Sequence, residues 1–289
     1  MAAPRIKQGL RATPHDDRDF SFGAVVGIAS LAELPKEYRV GDPLVVKDQG
    51  ETDMCTAYAL TAVSEDQEGV ALSPFFTFGK TKKITGEKDE WGADLRSACK
   101  SGVGDGFLEL FGSTIDAVKR PATQEERDQA AEWMRISSTD EYLAQQHKKK
   151  TFFAVDGPYD VFDNMRSAMW RARSERRSVF TGCKWRQEWT NAPGGVIDAV
   201  GSGSAFGHAL KAFGWEDDRM ILQLSNGAAI GDQGIFKISR DALNEAFTFG
   251  AFTFMDMPRE EAEAAIEKRE RKSAVSTFFS WLPWLIIKK

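Results

Sequence analysis

Cysteine and histidine are scarce in this chain, with three of each among 289 residues. The cysteines are Cys55, Cys99 and Cys183. An odd and sparse count excludes a disulfide scaffold and fits a reducing compartment. No cysteine and histidine stand at zinc-site spacing, so neither a metal nor another cofactor is expected. Long apolar runs are missing too: none approaches the about 20 residues that a membrane-spanning helix needs. Residues 1–19 contain no apolar h-region, so no signal peptide is expected. Charge of one sign is also lacking, since 38 basic residues face 43 acidic ones, a net of −5. That excludes a broad nucleic-acid surface. There is no internal repeat and no low-complexity tract. With 42% hydrophobic and 28% charged residues, the chain is an ordinary globular protein, long enough for one large domain or two lobes.

Residues 1–33 read as an extended arm, punctuated by Pro4, Pro14 and Gly23, with a polar middle at His15-Asp16-Asp17-Arg18-Asp19. Compact structure begins at Leu34-Pro35. Residues 54–68 form a buried helix with Asp53 as N-cap. Ser73 caps a second helix to about residue 82, with Pro74 at its first position. A short third helix covers 94–100. Residues 124–150 are charged and helical in pattern. Residues 163–176 place Met165, Ala168, Met169 and Ala172 on one helix side. From 178 onward the pattern is strand-like, over 178–184, 209–215, 220–225, 235–239 and 247–255. Helices first and an antiparallel sheet after them predict the α+β class. Three units are expected: an arm at 1–33, a domain at 34–257 whose helical lobe gives way to a β lobe near 150, and a terminal piece at 258–289. That piece starts with a helix over 258–272, acids first and bases last as the helix dipole prefers. It has almost no apolar face and reads as a solvated spacer. The apolar stretch 278–287 follows, with Pro283 inside it.

Cys55 opens an apolar helix, Gln49 lies six residues before it, and His208 lies far downstream. A helix N-terminus and a nearby imidazolium both lower a cysteine's pKa. Attack by the thiolate on an amide carbonyl puts negative charge on oxygen, for which the Cys55 N–H and the Gln49 side-chain amide are candidate donors. Taken singly, each residue also has a plain reading: a small buried thiol, a turn glutamine, a structural histidine. Cys99 and Cys183 read as buried thiols, and His15 and His147 as exposed. Trp185 and Trp189 are either cleft or core. The Gly201-Ser202-Gly203-Ser204 loop lacks the helix that a phosphate loop requires.

Several segments carry a resemblance. Leu34-Pro35-Lys36-Glu37-Tyr38-Arg39, Val45-Val46-Lys47-Asp48-Gln49-Gly50 and Cys55-Thr56-Ala57-Tyr58-Ala59-Leu60 resemble the start of the mature domain in papain-like cysteine peptidases. The bacterial, archaeal and viral members have Cys-Thr-Ala at this place. Leu72-Ser73-Pro74-Phe75-Phe76, Gly194-Gly195-Val196-Ile197, Gly207-His208-Ala209, Phe213-Gly214-Trp215 and Gly231-Asp232-Gln233-Gly234-Ile235-Phe236 resemble later segments of the family, in order, over about 34–255. The resemblance implies two lobes, one helical and one a β-barrel-like sheet, with a cleft between them. It also implies an amide-cleaving enzyme with a thioester intermediate: Cys55 as nucleophile, His208 as base, Gln49 as oxyanion donor.

The family's orienting asparagine stands in an Asn-Ser-Trp-Gly motif. Here the stretch is Leu224-Ser225-Asn226-Gly227. A gapless alignment puts Leu224 in the asparagine's place, and a shift of two residues puts Asn226 there, on the same strand face. The folded propeptide and the disulfides of secreted members are missing, which fits a cytoplasmic or particle-borne protein. The expected partners are a peptide or protein substrate and a protein docked through the arm and tail. The tail also suits shallow membrane contact. The competing expectation is a structural protein that kept the fold and lost strong catalysis, in a larger assembly such as a phage particle. An acyl-transfer enzyme on the same fold is a third.

Overall fold

The computed structural model describes residues 9–14, 16–86, 91–110, 119–126, 128, 136–268 and 271. His15 and the apolar stretch 278–287 lie outside the described residues.

The helical half is built around α2 (Cys55–Glu68), which buries twelve of its fourteen residues. A helix of Ala, Thr, Leu and Val on all sides has no solvent face to offer, so it becomes a central strut. Gly69 ends it in the left-handed conformation, φ 72°. Its start differs from expectation: Met54, not Asp53, holds the cap position, with no side-chain cap. Two further helices follow their local signals. Ser73 accepts the Phe76 N–H at the start of α3 (Pro74–Thr85). Asp94 accepts the Ser97 N–H at the start of α4 (Leu95–Gly104). Beyond them stand α5 (Ser138–Ala144) and α6 (Val161–Arg171). A short α1 (Phe22–Val25) precedes them all.

Among the described residues nine strands make one sheet. They are β1 (Phe20–Ser21), β2 (Glu37–Arg39), β3 (Thr151–Ala154), β4 (Val179–Arg186), β5 (Val196–Ile197), β6 (Ala205–Glu216), β7 (Arg219–Gln223), β8 (Ile235–Ser239) and β9 (Ala251–Met255). Their order is β1-β3-β9-β4-β6-β7-β8-β5, with β2 paired to β6. The path has two ends and is not a closed barrel. It is not wholly antiparallel either, since β1–β3 and β5–β8 run parallel. An unanticipated helix, α7 (Arg240–Ala246), joins β8 to β9. The class is α+β.

The main core lies around Trp185, Trp215 and Phe236 on the sheet and Phe162, Met165 and Met169 on α6. A second core joins α2 to the sheet through Ala59, Leu60, Val63, Phe180 and Ala209. Leu10 of the N-terminal segment belongs to this second core. The expectation of an extended arm over 1–33 therefore does not describe its residues 9–14 and 16–33, which lie on the body and add β1 to the sheet. The helix over 259–268 (α8) is no solvated spacer either. Ala262 is fully buried, and Ala265 and Ile266 pack on the main core. Among the described residues no helix is long and apolar enough to cross a membrane.

Candidate active site

Cys55 is the first residue of α2 and is fully buried. The Ala209 N–H donates to its Sγ at 3.4 Å. His208 is the residue before Ala209 on β6, buried, opposite Cys183 in the β4–β6 ladder. The rings of Trp185 and Phe206 flank it, 6.2 and 6.4 Å away between centroids. The strand that carries the candidate base thus delivers its next backbone amide to the candidate nucleophile. Trp185 and Trp189 are core residues, packed edge to face.

Gln49 is also fully buried. Its backbone N–H donates to Ser225 O at 2.7 Å, its Nε2 donates to Thr52 O at 2.7 Å, and its Oε1 accepts from Ser225 Oγ at 2.5 Å. Asp48 and Asn226 form an antiparallel bridge, and the Gly227 N–H donates to Lys47 O. Asn226 is therefore brought beside the Gln49 loop. Its Oδ1 is buried and accepts no hydrogen bond among the described residues. Leu224 points into the main core.

Burial pushes the Cys55 thiol up to about 11, against smaller lowering by the Ala209 and Thr56 donors. The cover comes from the chain itself. The Gly9 carbonyl accepts the Ala93 N–H at 2.9 Å, and the Arg11 N–H donates to Ala93 O at 3.1 Å. On the other wall the Leu10 N–H donates to Gly207 O at 3.4 Å. Residues 9–11 thus lie as an extended strand between the helical half and the sheet, parallel to Ala93. The fit is close. A Cβ on Gly9 would lie 2.3 Å from Asp53 O and 3.0 Å from Cys55 Sγ. A Cβ on Gly92 would meet Gly9 O at 2.3 Å, and one on Gly207 would meet Leu10 O at 2.5 Å. Farther along, Thr13 Oγ1 accepts the Leu95 N–H, and Asp19 accepts from Arg96 Nε at 2.7 Å.

Sequence reasoning missed this seat entirely. Its only traces are glycines at 92, 182 and 207, which a linear reading gives no reason to group. It also read His147 as exposed. The ring is half-buried, with Nδ1 2.8 Å from Glu68 and Nε2 2.7 Å from Glu109. The Gly201–Ser204 loop wraps the Glu188 carboxylate, which accepts the Ser202 and Gly203 N–H groups.

No family model matches the chain, and no curated protein matches it. Solved structures do. Xylellain, a cysteine protease from Xylella fastidiosa, is similar at a TM-score of 0.68 and 21% identity, over 86% of this chain and 96% of that one. Digestive procathepsin L 3 of Tenebrio molitor gives 0.57 and 16%, over 82% and 76%. Bromelain from Ananas comosus, in complex with the E64 inhibitor, gives 0.54 and 17%, over 77% and 99%. Identities this low speak for backbone architecture alone: the chain has the papain-like fold.

Proposed function

We propose that the chain is a cysteine peptidase, held closed here by residues 9–13. The observation that carries this reading is the extended backbone bound over Cys55 by Ala93 and Gly207. A groove that takes one extended peptide by its main chain, above a thiol, is shaped for a peptide substrate. In this reading His208 takes the Cys55 proton and Sγ attacks the scissile carbonyl carbon. The Cys55 N–H and the second Nε2 hydrogen of Gln49 hold the oxyanion. The C–N bond breaks, the amine leaves with the proton from His208, and water then hydrolyses the thioester by the reverse sequence. Asn226, whose buried Oδ1 accepts no hydrogen bond among the described residues in this closed state, is the candidate to orient the imidazole once the seat opens. The Gly9 carbonyl of the bound segment is engaged by the Ala93 N–H.

Gly9→Val in the full chain tests this. The added side chain has no room against Asp53 O and Sγ. Opening the seat would return the thiol from about 11 toward its ordinary 9.0, which is about a hundredfold more thiolate at neutral pH. Site-resolved alkylation at mildly acidic pH should then show Cys55 outpacing Cys99 and Cys183, and His208→Ala in that background should remove the advantage. Cys55 that stays as slow as Cys99 in Gly9→Val would sink the reading.

One observation favours a second reading, a papain-like structural protein of a larger assembly such as a phage particle. Leu224, in the gapless place of the orienting asparagine, is a core residue. A silent Cys55 in the same experiment is its expected result. Amine incorporation without hydrolysis would point instead to acyl transfer.

A further inference from the structure

Two lysines are buried between α2 and the segments that flank it. Lys47 is 2% exposed and Lys211 is 1% exposed. Lys47 Nζ pairs with the Glu65 carboxylate and donates to Thr61 Oγ1 at 2.8 Å. Glu65 Oε1 also accepts the Leu72 N–H at 2.7 Å. Lys211 Nζ pairs with Asp66 Oδ1 at 2.9 Å and donates to Ala62 O at 3.3 Å.

The placement of these pairs is informative. Lys47 lies two residues before Gln49 on the same loop. Lys211 lies three residues past His208 on β6. Their partners are neighbours on α2, ten and eleven residues after Cys55, or about 15 Å along the helix. Each segment that carries a candidate group is therefore tied to one point on the helix that carries the thiol.

Apolar packing alone does not give α2 a defined rotation about its axis, because it is buried on nearly every side. Adjacent helical residues point about 100° apart. Glu65 and Asp66 thus face two different partners and fix both roll and axial position. Such pairs are poor stabilisers, since the lost hydration offsets their attraction and apolar replacements are often as stable. Burial accordingly pushes the Glu65 carboxyl up and the Lys47 ammonium down.

We propose that Lys47–Glu65 and Lys211–Asp66 form a two-point register clamp, positioning residues that hold Gln49 and His208 in line with the Cys55 thiol. This rests on the peptidase reading above.

The test is Lys211→Met with Asp66→Leu, made in the full-length Gly9→Val protein. Both charges leave together, so no orphan remains. The expected result is a thermal midpoint equal to or above the parent's, with Cys55 alkylation at pH 6 slowed about tenfold and its pH midpoint moved upward. A conservative Lys211→Arg with native Asp66 should keep the parent's rate. Lys47→Met with Glu65→Gln, which keeps an acceptor for the Leu72 N–H, should act in the same direction. A reactive parent whose double variants keep its rate and pH midpoint overturns the clamp alone. A parent whose Cys55 is no faster than Cys99 overturns the peptidase reading and the clamp with it. Loss of folding in both double variants overturns the clamp too, because a purely stabilising role then suffices.

Discussion

At the scale of the residue, the most telling position is Leu10. Its side chain fills the second core beside Ala59, Leu60 and Ala209, and its Cδ2 sits where a side chain on Gly182 would go. Burying a leucine contributes about 1.5–3 kcal/mol, so the seat leans heavily on this one residue. Leu10→Ala should raise the open fraction roughly ten- to a hundredfold. Amide hydrogen exchange at Ala93 reads this directly, because that N–H is bonded to Gly9 O. Unchanged protection would show that Leu10 does not hold the segment. The single catalytic candidates were legible because each sits beside its own signal: Cys55 at a helix start, His208 between Gly207 and Ala209. The place of Asn226 was not, since the sequence admits either Leu224 or Asn226 at the orienting position and the strand expected to carry both ends at Gln223. The bridge from Asp48 to Asn226 brings the latter to the Gln49 loop.

At the scale of the element, capping chemistry explains why α3 and α4 start where the sequence says. Ser73, Pro74 and Asp94 act within one turn of themselves. Strands β4, β6, β7, β8 and β9 were legible to within about four residues because one face or both are buried, whereas the short β1, β2, β3 and β5 were not read as strands. The seating of residues 9–13 was not, because it depends on main-chain bonds to Ala93 and Gly207, and backbone groups leave no mark in a sequence. Nor was the burial of α8, whose contact rests on alanines and one isoleucine. The seat also has a pH dependence. Burial in the closed form holds the thiol at about 11, above its ordinary 9.0, so opening the seat would lower it toward that ordinary value. The closed form therefore binds the proton more tightly. Its advantage is complete below pH 9 and is lost as pH rises from 9 to 11, a change of about 3 kcal/mol. Exchange at the Ala93 amide, corrected for the intrinsic rate, should accelerate through that window and level off in Cys55→Ser. A Cys55→Ser protein with the same pH profile would assign the opening to another group.

At the scale of the whole molecule, the two halves meet along α2, and the charges inside that junction are the expensive part. Asp66→Leu alone leaves the Lys211 ammonium buried without its carboxylate. Such an orphan costs about 3–5 kcal/mol, so the denaturant midpoint of this single variant should fall well below that of Lys211→Met with Asp66→Leu. Equal midpoints would mean that water reaches Lys211. The run Ser64-Glu65-Asp66 inside an apolar helix was the visible hint of this junction, but its partners lie 18 and 145 positions away, beyond what local pattern reaches.

The covering segment is stitched in at both sides of its turn. Leu10 lies in the cleft, Asp19 is paired to Arg96, and Phe20 is already a strand of the sheet. Only a short stretch of chain separates occupant from anchor, so the occupant's effective concentration at the cleft is of millimolar order, whatever the dilution of the protein. A free peptide would have to compete against that standing local excess. A single cut between Leu10 and Phe20 would turn the same contacts into an ordinary bimolecular complex, which dilution would dissolve.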